Sequence, residues 1–535
     1  MSENPDSEPP LSDDEAAEIE SELNGEFTMP RGSSETHRRR LLGAIAGAGT
    51  VAMAGCLGLF EEPEGREEPE DPDVGDGDDA EGPPDYTELE TMAPDVAPKE
   101  LVKHVDVQFA YNDEEIFFNF EWDQPDPGGW IHDMIYYDGD DEEWKRLADW
   151  DPWVLDQDYG FPEHHQGYYE DRLSFLWHDG TLQGFENYGG WMTVMEGVRT
   201  LPGEAPAEAI ENHPHFGDVL GRSDMRKFIP QSREGEWWEH AWDEPRSAEE
   251  LDQMLEDGEF LDFMFWRASR SNPMGYGTNH HVLEYRHGTR EGRDTFDSQD
   301  WDPEEGPEYM FDPNVVEGGA VDRADVVHDD GEPNREDMPP VDEVEQYSLI
   351  EDENMVEFDP EVAEWDGAMI PRRPLREPTE AGRSWPADGH WEDDTWTVEV
   401  RRALDTGYTE DMPVEDGGIY TWSPAIHHGS SQRFHWVAYP YKLGLGVDPE
   451  FEHSEEADII ATRVEGEPNW DEIETYTIPL MYPGMVDWTW LTSGEHPRVD
   501  EIRNDEISIW EHHDENPEDF AQRMIDLEES FAPRK

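Results

Sequence analysis

Apolar and polar residues alternate over Val105–Trp122, VDVQFAYNDEEIFFNFEW. Val105, Val107 and Phe109 alternate with Asp106 and Gln108, and Ile116, Phe118 and Phe120 repeat the pattern on the return. Asn112-Asp113 lies between the two runs, so the segment predicts a β-hairpin. Leu173–Trp177 predicts a short strand, and Phe260–Ser269, FLDFMFWRAS, another that is apolar throughout. Further strands are expected over Thr395–Arg401, Gly417–Ser423, Arg433–Leu443 and Thr475–Met481. Helical spacing is rare. Ser247-x-x-Glu250 has the form of a capping box and opens one short helix to Gly258, and Pro517–Ser530 has an amphipathic period. Pro202–Pro245 reads as loop, and no internal repeat is present. Short strands, long connections and few helices predict a mainly β fold, a β-sandwich or barrel with long acidic loop insertions.

Charge changes this picture at the ends. The 535 residues carry 134 Asp plus Glu against 37 Lys plus Arg, a net charge of −97. Lysine is confined to Lys99, Lys103, Lys145, Lys227, Lys442 and Lys535, so most of the positive charge is arginine. Such self-repulsion opposes a compact state in dilute salt. At molar salt the Debye length falls to about 3 Å and the repulsion is screened, which reads as a halophilic protein. Disorder is the competing reading of high charge, but 22 Trp, 21 Phe and 18 Tyr can fill a core in the middle of the chain. Nothing here would neutralise phosphates, so nucleic-acid binding is excluded.

Residues 1–34 are acidic and polar and are expected to be disordered. Residues 35–56 then carry Arg38-Arg39-Arg40, an apolar stretch from Leu41 to Ala54, and the small pair Ala54-Gly55 before Cys56. The stretch is too short to span a bilayer comfortably. The order of features is that of a targeting segment. It resembles a haloarchaeal-type twin-arginine signal with a lipoprotein box, in which Cys56 carries the lipid. The alternative is a short N-terminal helix with a core cysteine. Residues 57–98, mostly Glu, Asp, Pro and Gly, read as an acidic tether. The expected location is extracytoplasmic, anchored to the outer face of the cell membrane. A folded domain is expected over 99–446, with an acidic insertion at about 290–390, followed by a C-terminal extension over 447–535.

Cys56 is the single cysteine, which excludes an intrachain disulfide, a cysteine zinc site, an iron–sulfur cluster and a C-x-x-C-H haem attachment. No nucleophile–base order, H-E-x-x-H helix or phosphate-cradling glycine loop is present, so the chain is not expected to be an enzyme in its own right. Candidate chemistry centres on Glu170–Gly197, EDRLSFLWHDGTLQGFENYGGWMTVMEG. There Gly189-Gly190 permits close backbone approach, and Met192 and Met195 flank Trp191 where a flat ligand would fit. Methionines beside aromatics also serve as core packing.

Several segments, in order, resemble the haem-binding γ subunit of ethylbenzene dehydrogenase and its relatives, the haem b subunits of type II enzymes of the dimethyl sulfoxide reductase family and related cytochromes. They are VQFAYNDEEIFFNFEW, EDRLSFLW with GFENYGGWMTVMEG, DFMFWRASRSNPMGYG, DTWTVEVRRALDTG and FHWVAYPYKLGLG. The resemblance implies a β-sandwich holding one haem, with methionine and lysine as iron ligands in the haem b members. In the c-type relatives the segment equivalent to Gly189–Gly197 carries the attachment motif. Trp191 and Val194 stand at its two cysteine positions and Met195 at its histidine, so the implied cofactor is non-covalent haem b. Met195 is the first expected ligand and Met192 the second. The family's lysine precedes a Val-Ser pair; the matching position is His435, ahead of Val437-Ala438, with Lys442 as fallback and His427 and His428 as weaker choices. Trp266 is a further expected haem neighbour. The pairs His164-His165, His280-His281 and His512-His513 fall in polar stretches and are expected to be solvated.

The resemblance further implies an electron-transfer subunit. Its partners would be a molybdopterin-containing catalytic subunit, an iron–sulfur subunit, and a copper-protein or membrane electron carrier. Two readings of other classes stand beside it. In a cofactor-free binding module Trp191, Trp266 and Trp436 would stack on a ligand, since a sandwich does not fix a function. In a catalytic reading an acid–base pair would come from the many carboxylates.

Overall fold

The structure, a computed structural model, describes residues 102–125, 134–147, 170–193, 207–223, 225, 227–234, 242–326, 347–427, 435–447 and 457–481. The expected signal, the tether and the 517–530 helix lie outside them.

The hairpin forms as its alternation requires. Strand Val102–Tyr111 turns at Asn112, whose side-chain oxygen accepts from the N–H groups of Glu114 and Glu115 at 2.8 Å each, and returns as Glu115–Asp123. Thr395–Ala403 pairs with the return strand in the register Phe120↔Val398, and Ala387–Glu392 adds the outer edge. These four strands are one layer. The second runs Arg286–His287, Thr278–Val282, Leu261–Arg267, Arg172–His178 and Ile419–His427, antiparallel throughout. The layers meet through aromatic rings: Phe118 on Phe175 at 4.9 Å, Phe109 edge-on to Trp422 at 5.1 Å, and Trp396 edge-on to Trp266 at 5.0 Å. The fold is therefore mainly β and sandwich-like, as the alternation predicts.

Two features join the layers at their edges. The expected strand 433–443 is interrupted at Pro440, which has no N–H to donate, and becomes two strands, His435–Val437 and Tyr441–Leu445. Tyr441–Leu445 pairs with Ile459–Arg463, which runs parallel to the end of Val102–Tyr111. Thr475–Met481 lies antiparallel along the same first strand from Val102↔Met481 to Gln108↔Thr475, and meets His435–Val437 at Val437↔Met481. The sandwich thus takes two of its strands from beyond residue 446.

An ion pair lies inside it. Asp262 and Arg402 bond to each other with both side chains fully buried. The Arg402 guanidinium sits over Trp177 at 4.4 Å and Trp385 at 4.7 Å, and the same Asp262 oxygen accepts the Met412 N–H at 2.8 Å.

The acidic region at 290–390 is not one surface loop. Val321–Asp322 and Ala368–Pro371 form a small sheet with Met134–Asp138 and Glu143–Arg146. Its own core contains Ile135, Trp144, Met310, Phe311 and Ile370.

The second layer is covered on its outer side as well. Strands Arg172–His178 and Leu261–Arg267 are buried at every position, which accounts for the unbroken apolar run of the latter. The cover includes turns near 182–193, the segments 207–223 and 227–234 and the helix Ala248–Glu256, which has the expected capping box between Ser247 and Glu250. The Ile229 N–H bonds the Leu283 carbonyl at 2.8 Å. Glu284 ties the cover to the sheet: the Nε2 atoms of His215 and His287 both lie 3.1 Å from its Oε1. Burial alone would raise this carboxyl, but the two imidazoles hold it well below the usual carboxylate range. A carboxyl lowered in the folded state adds stability above its unfolded value, 4.5, which is lost as pH falls below that value toward the folded one. Melts in molar salt between about pH 5 and about pH 3 are expected to fall more steeply for the native protein than for Glu284→Gln. Parallel slopes would contradict this role.

His280 and His281, expected in a solvated turn, instead occupy the buried strand Thr278–Val282. Their neighbours Thr278 and Val282 carry the strand, and the ring of His281 stacks on His287 at 5.0 Å.

Candidate functional site

Side chains alternate between the two faces of a strand, so strand register decides which residues share the covered outer face. Trp422 and Ile426 of strand 419–427 point into the sandwich, which leaves Ser423, Ala425 and His427 on the outer face. His427 is paired with His435 on one side and with Arg172 on the other, and Arg172 with Arg267. Four neighbouring strands therefore place His435, His427, Arg172 and Arg267 in one row, all buried. The two imidazoles stack at 4.4 Å, nearly parallel at 7°. The next row on the same face is Val437, Ala425, Ser174 and Phe265. Two small residues thus lie between a valine and a phenylalanine, a low floor beside the histidines. Phe265 also meets the His427 ring at 5.8 Å.

Guanidinium groups surround that phenylalanine. Arg267 lies over its ring at 4.0 Å, Arg286 at 5.5 Å and Arg172 at 5.6 Å.

The glycine pair brings the covering segment onto this face. The Gly190 N–H donates to Ser423 Oγ at 3.0 Å, and a Cβ on Gly190 would meet Val437 at 3.2 Å. At Gly189 φ is +52°, and a Cβ would sit 2.8 Å from Ser423 Oγ and 2.9 Å from Pro440. Gly189→Ala is expected to cost ~1–3 kcal/mol of stability, read by denaturant unfolding. A cost within error of zero would show that the segment does not need this approach. From the glycines the backbone runs as a short 3-10 helix, Gly189–Thr193. Thr193 is fully buried, and Lys227 donates to its hydroxyl at 3.2 Å. Burial and the nearby Arg286 push the Lys227 ammonium down to about 7.

The expected site residues separate into groups. His435 and the glycine segment come together. Val437 shares a face with His435 and lies under Gly190, so the chain leading to Met192 and Met195 starts beside the histidine row. Met195 lies outside the described residues, as do Val194, His428, His164-His165, His512-His513 and Cys56; for Trp191 and Met192 only the backbone is described. Lys442 is not brought to His435. It pairs with Thr421, six residues before His427 and so roughly 20 Å along the strand, and is exposed. Trp266 faces the sandwich interior with Trp122 and Trp396, on the opposite side of its strand from Arg267. Trp436 likewise faces inward, with Lys103 over its ring at 5.2 Å. The tryptophan trio of the binding-module reading is thus not assembled on the covered face. Arg172, Arg267, Arg286 and Lys227 were not singled out by the sequence pattern. For Arg172 and Arg267 the one signal is a cation at the end of an apolar run, RLSFLW and FLDFMFWR; Arg286 and Lys227 sit in mixed polar sequence.

A family model described as Ethylbenzene dehydrogenase matches residues 80–437, well over half of the chain. The chain belongs to that family. The ethylbenzene dehydrogenase family comprises haem-type, non-catalytic subunits of molybdoenzymes, associated with molybdopterin catalytic and iron–sulfur subunits. The match ends at Val437 and so includes both histidines of the row. No curated protein is found to be similar to the chain. The donor chemistry of the covered face suits the family's cofactor: a buried imidazole on a strand, a small-residue floor beside it, and a methionine-bearing segment arriving from the cover.

Proposed function

We propose that this chain is an electron-transfer subunit that binds one non-covalent haem b between the outer face of the second layer and its cover. The observation that carries the reading is the position of His435. It is buried at the end of the row of four, stacked on His427, on the face onto which the Gly189–Thr193 segment descends.

Bound there, haem supplies a one-electron iron couple. The chain supplies the rest. His435 would hold the iron through its imidazole, and the parallel His427 ring stacked on it would limit its rotation. Met195, with Met192 second, would supply a further iron ligand, and a thioether raises the potential relative to two nitrogen donors. Ala425 and Ser174 leave room for a flat ring, and the cover excludes water. The acidic exterior gives a charged docking surface for a molybdenum-containing catalytic subunit with its iron–sulfur subunit, and for a copper-protein or membrane carrier. Twin-arginine export with a lipid on Cys56 would place the subunit outside the cell membrane.

A potentiometric titration of protein from a haem-sufficient, high-salt host tests this. A single one-electron wave, with haem extractable into acidic acetone, is the expected result. A folded but redox-silent protein that takes up no haemin would favour the cofactor-free binding module instead.

A further inference from the structure

The Gly189–Thr193 segment is held at both ends, and by different parts of the molecule. Near its start the Gly190 N–H donates to Ser423 Oγ at 3.0 Å, and that hydroxyl donates in turn to the Ala438 carbonyl at 2.9 Å. At its end the Thr193 hydroxyl donates to the Gly190 carbonyl at 2.9 Å and accepts from Lys227 Nζ at 3.2 Å. Each hydroxyl uses its single proton once, so Lys227, Thr193, Gly190, Ser423 and Ala438 form one unbroken line. The base of that line is firm. Lys227 is followed by Phe228 and Ile229, both fully buried. The Ile229 N–H bonds the Leu283 carbonyl, and Phe228 packs with Phe216 and Tyr285 and lies 3.8 Å from the Arg233 guanidinium. Lys227 is not needed to satisfy Thr193, because a threonine hydroxyl that bonds a carbonyl three residues back is already paired. Ordering a lysine side chain and taking its amine out of water both cost free energy, and the chain has only six lysines.

We propose that Lys227 and Thr193 are positioning residues: together they fix the height of the glycine segment above the face that carries His435, and so the width of the slot that the cofactor enters. The assignment rests on the haem reading above and adds to it residues that act through the segment. Anchored at Gly190 alone, the segment would pivot, since Gly189 and Gly190 carry no side chain to hinder rotation. Thr193 lies three residues further along the 3-10 helix, about 6 Å away at the rise of such a helix, and a second anchor there removes the pivot. The floor of Ala425 and Ser174 is fixed by strand pairing; the line from Lys227 fixes the opposite wall. A slot fixed before its ligand arrives loses less freedom on binding.

The test reads the segment and the slot separately, on the full-length protein in high salt. Hydrogen–deuterium exchange reports on the segment. Thr193→Val and Lys227→Met are each expected to speed exchange of the peptide over 185–193 about tenfold, the scale of one hydrogen bond to a charged group. Exchange in strands Arg172–His178 and Leu261–Arg267 should not change. Haemin titration reports on the slot: each variant should bind about tenfold more weakly than the native protein, and Thr193→Ser, which keeps the hydroxyl, should bind as the native does. The double variant should lose no more than either single one, because both break the same line. Additive losses, or unchanged segment exchange in both single variants, would overturn the positioning role while haemin binding by the native protein keeps the haem reading intact. Faster segment exchange in the variants, with no haemin uptake by the native protein, would overturn the haem reading instead. If Lys227→Met does not fold by circular dichroism, Thr193→Val against Thr193→Ser decides.

Discussion

His435→Ala is expected to lower haemin affinity at least a hundredfold and to abolish the sharp α and β bands of the reduced protein. The side chain is buried at the covered face and shares the strand face with Val437, which lies directly under Gly190. On the proposed reading its loss removes an iron ligand, not merely a contact. His427→Ala is the informative companion. Its ring stacks on His435 at 4.4 Å and is paired with it across the strands, so its removal leaves the ligand but frees its plane. The expected loss is about tenfold, with six-coordinate bands retained. Equal effects of the two substitutions would make His427 as strong a candidate as His435. Unchanged bands in His435→Ala would remove it from the site.

The largest effect on the fold itself is expected at the Asp262–Arg402 pair. Both side chains are fully buried, and the guanidinium lies between Trp177 and Trp385. Arg402→Ala would leave a buried carboxylate without its partner, at an expected cost of ~3–5 kcal/mol. Replacing both together, Asp262→Leu with Arg402→Met, is expected to cost much less, because an apolar pair needs no compensation. Surface pairs such as Lys145 with Asp138 are expected to contribute little, and less still in molar salt. Denaturant unfolding at fixed salt reads all three. A cost below about 1 kcal/mol for Arg402→Ala would show that water reaches this pair.

How much of this was legible in the chain depends on the range of each interaction. The hairpin was written locally, in the alternation of Ile116, Phe118, Phe120 and Trp122 around the Asn112 turn, and so was the helix that Ser247 and Glu250 cap. The closure of the sandwich was not. Gln108 donates to the carbonyl of Trp470, a partner 362 residues away, and no local pattern announces such a pairing. The second small core was obscured by dilution, since Trp144, Met310, Phe311 and Ile370 are scattered through Asp- and Pro-rich chain. His280 and His281 were placed with their polar neighbours, because the strand that buries them is only five residues long.

At the candidate site the family resemblance led to His435 and to the glycine segment. The row that gives His435 its context depends on register across four strands. A slip of one residue would send Arg172 or His427 into the sandwich. Register is set by the core-facing partners, Trp422 opposite Trp177 and Leu173 opposite Trp266. The arginines were thus fixed by residues on the opposite face from the one they occupy.

The most direct test of the central claim is the visible spectrum of the purified protein in high salt, first oxidised and then reduced with dithionite. The account predicts a Soret band and, on reduction, sharp α and β bands of a six-coordinate haem. A folded protein that is colourless in both states and stays so after addition of haemin would contradict it.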